Sequence, residues 1–554
     1  RLLDPETDSA WLAENPYERL KKETKDIPVP KKIFFDRENS SGKDISEIEN
    51  LEDLKSKIDN FSGLKVDAES IYAGRLHAND TEEKAFSISN RREIGTITLD
   101  DPIQVKKALE KDTLDEWKEI EVNERAKILN LIADDLENNP YELIYFLINE
   151  AGKTIQNAID EIREAVDFLR YYSSRSIELF NNTELNGPTG EDNQMSFTPK
   201  GTFLCISPWN FPVAILIGQI SAALSCGNRV IVKPSEYSSI LGYLVVKKFH
   251  DHGVPISALS LILGDGLYGD FLTKISPLHG VAFTGSLPTA KKIQANIIDN
   301  QNQIIPLIAE TGGINTMIVD SSALLEQVTD DVVRSAFDSA GQRCSALRVL
   351  CVQEEIYDDL KDMIIGNMQI QTVGDPNFFD TDIGPIINDK AYKKLSSYIS
   401  LCSEKGYKIH QPNQKVSDMH IAQTLIEINS ISNITEEQFG PILHILKYSS
   451  NEIDELINQI NRSEYGLTMG IHSRIEARAD YMSSRSNVGN IYINRDMVGA
   501  VVGSQPFGGI GLSGSGFKAG GPNYLLQFVN EKVVSKNSVA FGGNTELLNI
   551  QEDL

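Results

Sequence analysis

Cysteine is scarce in this chain: 5 residues in 554, at positions 205, 226, 344, 351 and 402, with no CxxC pair. An odd, dispersed set cannot build a disulfide framework, and it predicts a reducing, cytoplasmic setting. Histidine is also sparse, 8 residues without metal-ligand spacing, so no metal is expected. Basic residues are outnumbered, 53 Lys and Arg against 79 Asp and Glu, for a net charge of -26. Such a surface repels phosphate backbones and anionic lipid, which argues against a nucleic-acid partner. No apolar run is long enough for an integral membrane span, and no signal peptide opens the chain. The longest run, "FPVAILIGQISAALSCG" from Phe211, is broken by Gln219 and Ser221 and reads as a buried helix. A GxGxxG dinucleotide fingerprint is missing too.

What is present is apolar mass, 41% of the residues, enough for two or three compact units. Residues 1–65 are charged and loop-rich, broken by "PVPKK" and "ENSSGKD", and read as a lead-in or linker with a short helix near Ile45–Ile58. The chain opens on Arg1, as a processed chain or a fragment of a longer one would. Ile128, Leu131, Ile132 and Leu136 recur at helical spacing up to Asn139-Pro140, and a second helical block covers 141–180. From residue 201 short apolar runs alternate with helical stretches: "TFLCI" from Thr202, "RVIVK" from Arg229, "LSLIL" from Leu259, "GVAFT" from Gly280 and "IIPLI" from Ile304. A second set runs from "TMIVD" at Thr316 through "RVLCV" at Arg348 to "NIYIN" at Asn490. Buried parallel strands have this pattern, and the alternation predicts two doubly wound α/β units. The polar stretch 183–200 fits a protruding hairpin or a plain loop, and "LLQFVNEKVVS" from Leu525 is strand-like.

Four strand ends carry candidate chemistry. In "SPWNFP", Ser207–Pro212, Asn210 sits where a strand hands over to the long apolar helix. Its amide can donate to a developing oxyanion, or cap the helix. In "VIVKPSE", Val230–Glu236, Lys233 and Glu236 follow a strand end, the edge where open α/β sheets take ligands. The acid can accept from a ribose diol and repel a 2′-phosphate; the alternative is a solvated surface pair. "FTGS", Phe283–Ser286, offers amides at a helix N-terminus that suit phosphate. "AETGG", Ala309–Gly313, sets Glu310 behind an apolar strand, as a general base of raised pKa or a loop acid. Cys344, in "DSAGQRCSALRV" from Asp338 to Val349, is a nucleophile or a small core residue. Taken alone, the core reading leads.

These motifs, with "GQRCSA", "EEQFGPIL" (Glu436–Leu443) and "PFGGIGLSGSG" (Pro506–Gly516), follow the order found in the aldehyde dehydrogenase superfamily, which the chain resembles over roughly residues 90–530. "CS" at 344–345, "NRDMVGAVVGSQPFGG" and "KAGGPNYLLQF" are similar to one branch, the L-glutamate γ-semialdehyde (Δ1-pyrroline-5-carboxylate) dehydrogenases. The lead-in "DRENSSGKD" and the tail "NSVAFGGNTELL" resemble that dehydrogenase as it occurs in the second half of bifunctional proline utilization A proteins.

The resemblance implies an aldehyde dehydrogenase-like fold: a modified Rossmann cofactor domain over 66–305, carrying a β-hairpin oligomerisation flap at about 183–200, and a catalytic domain over 306–495. Residues 496–554 would form an anchor loop, a return to the cofactor domain and flap, and a tail. By resemblance Cys344 is the nucleophile, Asn210 and the Cys344 backbone N–H form the oxyanion hole, and Glu310 is the base. NAD would lie against Ile206, Ser207, Pro208, Trp209, Lys233, Ser235, Glu236, Gly266, Phe283, Thr284, Gly285, Ser286, Glu310, Thr311, Gly312, Glu437 and Phe439. The substrate, glutamate γ-semialdehyde, would meet Phe211, Arg343, Ser345, Gly499, Ala500 and Phe507. Ala500 departs from the serine common in single-function members, and Ala290 from a glycine common in the superfamily. The implied partners are a second copy of the chain, as dimer or higher homo-oligomer, and a proline dehydrogenase, covalent or separate. Another ω-carboxy aldehyde such as succinate semialdehyde, or a non-catalytic remnant, is the alternative function.

Overall fold

The computed structural model of the protein describes residues 29–537 and 540, apart from 44, 46, 77–79, 112–115 and 415. Two largely parallel sheets carry the architecture. The first has six strands in the order Gly514–Ser515, Leu307–Glu310, Gly280–Thr284, Thr202–Ile206, Arg229–Lys233, Leu259–Leu261. Every neighbouring pair is parallel except the Gly514–Ser515 edge. Arg229–Lys233 is buried throughout, as a strand covered by helices on both faces must be. The chain steps outward from Thr202–Ile206 to one side, then returns to Gly280–Thr284 on the other. The strand order therefore reverses between these two, and a crevice opens at their carboxyl ends. That places "SPWN" and "FTGS" on either side of one crevice.

The second sheet has seven strands, in the order Ile409–His410, Thr424–Glu427, Ile442–Tyr448, Val349–Gln353, Thr316–Val319, Thr468–His472, Asn490–Ile493. Only its Ile409–His410 edge is antiparallel. Two doubly wound sheets thus match the expected α/β class. One strand moves. "IIPLI" from Ile304 pairs only from Leu307, because Pro306 has no N–H for the ladder and Ile304 is fully exposed. That strand hydrogen-bonds to Gly280–Thr284, so it completes the first sheet although the expected boundary at 305 lies before it.

Around the first sheet pack the helices Ile155–Leu179 and Ala214–Ser225, the latter the buried apolar run. The lead-in helix spans Ile48–Asp59, and its Leu54 and Ile58 join the same core. So the described part of the lead-in is packed against the body, and is no free linker. The stretch 183–200 is a hairpin, Thr183–Leu185 with Glu191–Pro199, extended by Val529–Asn537 as a third antiparallel strand. The strand expected from Leu525 begins only at Val529, since Tyr524–Phe528 forms a 3₁₀ turn that buries Tyr524, Leu525 and Phe528. Of the lead-in, residues 1–28 lie outside the described residues, as does the tail beyond Asn537 apart from Ala540. No described helix is long and apolar enough to cross a membrane.

Phe528 is the anchor of the flap. It is fully buried, its ring lies 4.7 Å from that of Phe203 and 5.4 Å from that of Tyr524, and its carbonyl accepts from Asn228 Nδ2 at 2.8 Å. Phe528→Ala should cost about 3–5 kcal/mol of stability through lost burial and a residual cavity. Urea denaturation of the two proteins measures it.

Candidate active site

The segment bearing Cys344 leaves the helix Leu325–Phe337 through a forced turn. Ser339, Ala340 and Gly341 all take left-handed φ, 53°, 55° and 64°. Two of the three carry side chains, so the turn stores strain that its surroundings must hold. Ser339 N–H donates to Asp338 Oδ1 at 2.8 Å, and Ser339 Oγ donates to Asn157 Oδ1 at 2.7 Å. Arg343 pairs with Asp338 at 2.7 Å. Gly341 is required, because a Cβ there would meet Gly440 O at 2.2 Å. Beyond the turn, Asn315 Nδ2 donates to Cys344 O at 2.6 Å and to Ala346 O at 2.9 Å, clamping the peptide around the thiol.

Asn210 lies beside this turn, its Nδ2 donating to Gln342 O at 3.1 Å. The following helix begins only at Ala214, and its N-cap residue is Val213. The helix-cap reading of Asn210 is thereby excluded. The amides of Val213 and Ala214 go instead to Glu161 Oε1, at 2.7 and 3.2 Å. Glu161 is buried and paired with Lys153 at 2.8 Å, and Lys153 Nζ sits 4.2 Å over the Phe211 ring.

Glu310 ends its strand with the carboxylate turned onto the glycine loop: Gly509 N–H donates to Oε2 at 2.9 Å. A Cβ at Gly508 would meet Oε1 at 2.8 Å, and one at Gly514 would meet Oε2 at 3.0 Å. Burial pushes the Glu310 carboxyl up to about 8, against the Gly509 bond and the Lys518 charge. Burial also pushes the Cys344 thiol up to about 12, helped by the Glu437 and Glu310 charges and opposed by the Ser345 amide and Arg348. Glu437 is raised as well by burial, and Arg348 at 3.1 Å pulls it back.

Two cavities meet at Cys344. One, of about 850 Å³, gathers Phe211, Arg343, Ser345, Gly499, Ala500 and Phe507, all six of the expected substrate residues. The amides of Gly499 and Ala500 donate to no protein acceptor among the described residues, unlike Val498 and Val501 beside them. The other, of about 1190 Å³, is the crevice at the strand-order reversal; Pro208, Trp209, Thr284, Gly285, Ser286, Thr311, Gly312, Glu437 and Phe439 line it. Thr284, Glu310, Thr311 and Cys344 are common to both. Of the expected cofactor residues, Ile206, Ser207, Lys233, Ser235, Glu236, Gly266 and Phe283 do not line this crevice. Ile206 and Phe283 are core residues, and Phe283 lies directly under Gly285. Ser207 N–H donates to Lys233 O at 3.3 Å, while Ser235 caps the turn Glu236–Ser238 and Gly266 opens the helix Gly266–Leu272.

A nicotinamide dinucleotide fits these residues on a feature of the site itself. Lys233 Nζ is buried with Glu236 Oε2 only as near as 3.8 Å, a gap that a ribose diol bridging both would close. Ser286 caps the helix Leu287–Asn300 at the crevice, with amides oriented for phosphate. Trp209 meets Phe439 edge-on at 5.7 Å across the opening.

The sequence reading missed Glu164, which lines the first cavity with Phe168 and Tyr172 and whose carboxyl burial pushes up to about 7, with the Glu161 charge adding to it. The spacing 164, 168, 172 puts a carboxylate in the aromatic stripe of one helix face, a legible signal. It also missed Arg348 and Asn315, which nothing local distinguishes.

Comparison with known proteins follows the same lines. The bifunctional protein PutA of Escherichia coli (strain K12) is 41% identical over 528 residues, which cover 93% of this chain and 39% of that protein. The 1-pyrroline-5-carboxylate dehydrogenase of Bacillus subtilis (strain 168) is 33% identical over 82% of this chain and 91% of its own. A crystal structure of a proline utilization A (PutA) variant from Bradyrhizobium japonicum superimposes with TM-score 0.86 at 38% identity, over 96% of this chain and 52% of that one. A 1-pyrroline-5-carboxylate dehydrogenase variant from Thermus thermophilus superimposes with TM-score 0.84 at 27% identity, over 90% and 98%. The chain thus spans less than half of the Escherichia coli relative and nearly all of the Thermus one. With the aldehyde dehydrogenase family model matching residues 77–534, on a fold whose two cavities join at a single cysteine, the chain belongs to the aldehyde dehydrogenase family.

Proposed function

We propose that the protein oxidises L-glutamate γ-semialdehyde, the open form of Δ1-pyrroline-5-carboxylate, to L-glutamate with NAD as acceptor. The observation that carries the reading is the pair of cavities converging on Cys344: one has free loop amides, a hydroxyl and a carboxylate at its walls, the other suits a dinucleotide. The names of the PutA and 1-pyrroline-5-carboxylate dehydrogenase relatives support it. The cofactor unit runs from 66 past 305 to Glu310, the catalytic unit ends at 495, and the setting is the cell interior.

In this reading the Cys344 thiolate adds to the aldehyde carbon. The Asn210 Nδ2 and the Cys344 N–H hold the resulting oxyanion; a donor so placed is worth roughly 3–4 kcal/mol in the transition state. A nicotinamide dinucleotide bound in the crevice supplies the hydride acceptor. The acyl group remains on Sγ as a thioester. Glu310, the one carboxylate shared by both cavities, takes one proton of the attacking water, the other stays on the new carboxylic acid, and Sγ departs as the thiolate. At the far end of the substrate, Ser345 and the Gly499 and Ala500 amides receive the α-carboxylate, and Glu164 faces the α-ammonium. Phe211 and Phe507 flank the aliphatic part. Glu236 at the ribose position favours NAD over a 2′-phosphorylated cofactor. The two outer flap strands, Thr183–Leu185 and Val529–Asn537, are exposed along most of their length, with Leu185 and Val533 outward, and we assign them to contact with a second copy. A proline dehydrogenase, covalent or separate, would supply the substrate.

Five outcomes test this. Cys344→Ala should abolish formation of reduced nicotinamide from glutamate semialdehyde; a wild-type chain inactive on every aldehyde would return the remnant reading. Ser345→Ala should raise KM for glutamate semialdehyde about tenfold or more, as loss of a hydrogen bond to a charged group predicts, and leave a plain alkyl aldehyde nearly unaffected. A wild-type preference for succinate semialdehyde would sink the substrate assignment. Glu310 is a base only when ionised, so deacylation-limited turnover should rise with pH up to about 8 and then level. Glu310→Gln should lower steady-state kcat by about 10²–10⁴ while a first-turnover burst of reduced cofactor survives.

A further inference from the structure

The glycine-rich loop at the distal end of the aldehyde cavity is gripped from outside by a residue more than four hundred positions upstream. Arg37 Nη2 donates to Val502 O at 2.9 Å, two residues past Ala500, while its Nη1 donates to Asn39 Oδ1 at 2.6 Å. The guanidinium is sandwiched, 3.9 Å from the Phe34 ring centroid and 5.2 Å from that of Tyr171. It fits against Gly503, where φ is 83° and a Cβ would meet Arg37 Nη2 at 2.7 Å. On the loop's inner side Gly503 N–H donates to Gly520 O at 2.9 Å, and Gly520 N–H donates to Tyr172 OH at 2.9 Å. Tyr172 lines the cavity.

The strap that carries Arg37 is itself tied down. Ser40 donates through N–H and Oγ to the Asp167 carboxylate at 2.7 and 3.0 Å, and Asp36 accepts from Ser174 Oγ at 2.8 Å. Asp167 and Ser174 lie on the helix Ile155–Leu179, which turns Glu164, Phe168 and Tyr172 to the cavity. The strap therefore touches two walls of the pocket, the loop directly and the helix from behind. Burial lowers the Arg37 pKa, yet the residue stays a cation at any working pH. The Val502 peptide, polarised by the guanidinium, favours an anion in front of the loop, while the nearby Asp36 and Asp167 carboxylates offset part of the charge behind it.

We propose that the lead-in strap Phe34–Gly42 is a working part of the aldehyde pocket, and that Arg37 is the positioning residue that aims the Gly499–Gly503 loop at the substrate's distal carboxylate. This rests on the reading of the cavity as a site for an aldehyde bearing that carboxylate. It assigns a specificity role to a segment that sequence composition marks as linker.

The test uses Arg37→Met and Arg37→Lys in the full chain, with kcat/KM measured on glutamate semialdehyde, succinate semialdehyde and propanal, and KM measured for NAD. Expected is a fall of about tenfold in the ratio of carboxylated-aldehyde to propanal kcat/KM for Arg37→Met, with the KM for NAD unchanged and Arg37→Lys partway between. Ethylguanidinium added to Arg37→Met should restore part of the ratio. A uniform loss on all three aldehydes, or no loss on any, overturns the proposal. Should the wild type favour succinate semialdehyde over glutamate semialdehyde, the substrate assignment fails while the Arg37 ratio still decides this one. If Arg37→Met does not fold, Ser40→Ala, which loosens the strap and keeps the guanidinium, should move the same ratio in the same direction, and its failure to do so overturns the proposal.

Discussion

One buried guanidinium joins the parts of this site. Arg348 is almost wholly removed from solvent. Its Nη1 donates to Gly341 O at 2.8 Å and Gly440 O at 3.2 Å, and its Nη2 to Arg343 O at 3.0 Å and Glu437 Oε1 at 3.1 Å. Two of these acceptors belong to the turn that precedes Cys344, the third to the loop at Gly440, and the fourth is the carboxylate that faces the crevice. A planar fork with fixed donor directions can do this; a lysine ammonium cannot. The left-handed turn at 339–341 persists because Arg348 and Asn157 hold it, so the Cys344 position depends on bonds made far from the thiol.

That arrangement has an electrostatic consequence. Cys344 sits near two carboxylates, Glu437 and Glu310, in a poorly hydrated place, and both features favour its neutral form. Arg348 and the Ser345 amide act the other way. Glu310 is parked on Gly509, and Glu437 on Arg348. Burial raises Glu310 to about 8, so near neutral pH its proton-accepting, ionised form is the minor one, and this limits the negative charge placed beside the thiol. Four buried or half-buried ionisable groups, Cys344, Glu310, Glu437 and Arg348, are therefore one electrostatic unit, and substitutions among them will not add independently.

The strands were legible because buried parallel strands advertise themselves as short β-branched runs between glycines and prolines. "RVIVK" and "GVAFT" fall where their composition puts them. "IIPLI" did not, since apolar composition hides the missing donor of Pro306. The candidate site was legible where motifs sit at strand ends: Asn210 and Glu310 follow strands of the first sheet, and Cys344 meets them in one crevice from the turn after the helix Leu325–Phe337. Asn210 stayed ambiguous in sequence, as cap and donor need the same side chain, and only the start of the helix at Ala214 separates them. Arg348 and Arg37 were not legible. Their meaning lies in partners 89 and 465 residues away, and no local pattern encodes that.

The glycine loop from Gly508 to Gly514 shows why the chain returns to the first sheet after finishing the second. Its strand Gly514–Ser515 pairs antiparallel with Ala309 and Glu310, and Thr311 N–H donates to Ser513 O at 2.9 Å. Side chains at Gly508 or Gly514 would displace the Glu310 carboxylate. The same return brings Phe507 and Ala519 to the aldehyde cavity and continues into Phe528 and the flap. A base seated at the edge of one sheet, beside a thiol held by the other, requires a segment that belongs to both. The stretch from Phe507 to Asn537 is that segment, and it binds the pocket, the base and the flap into one mechanical unit.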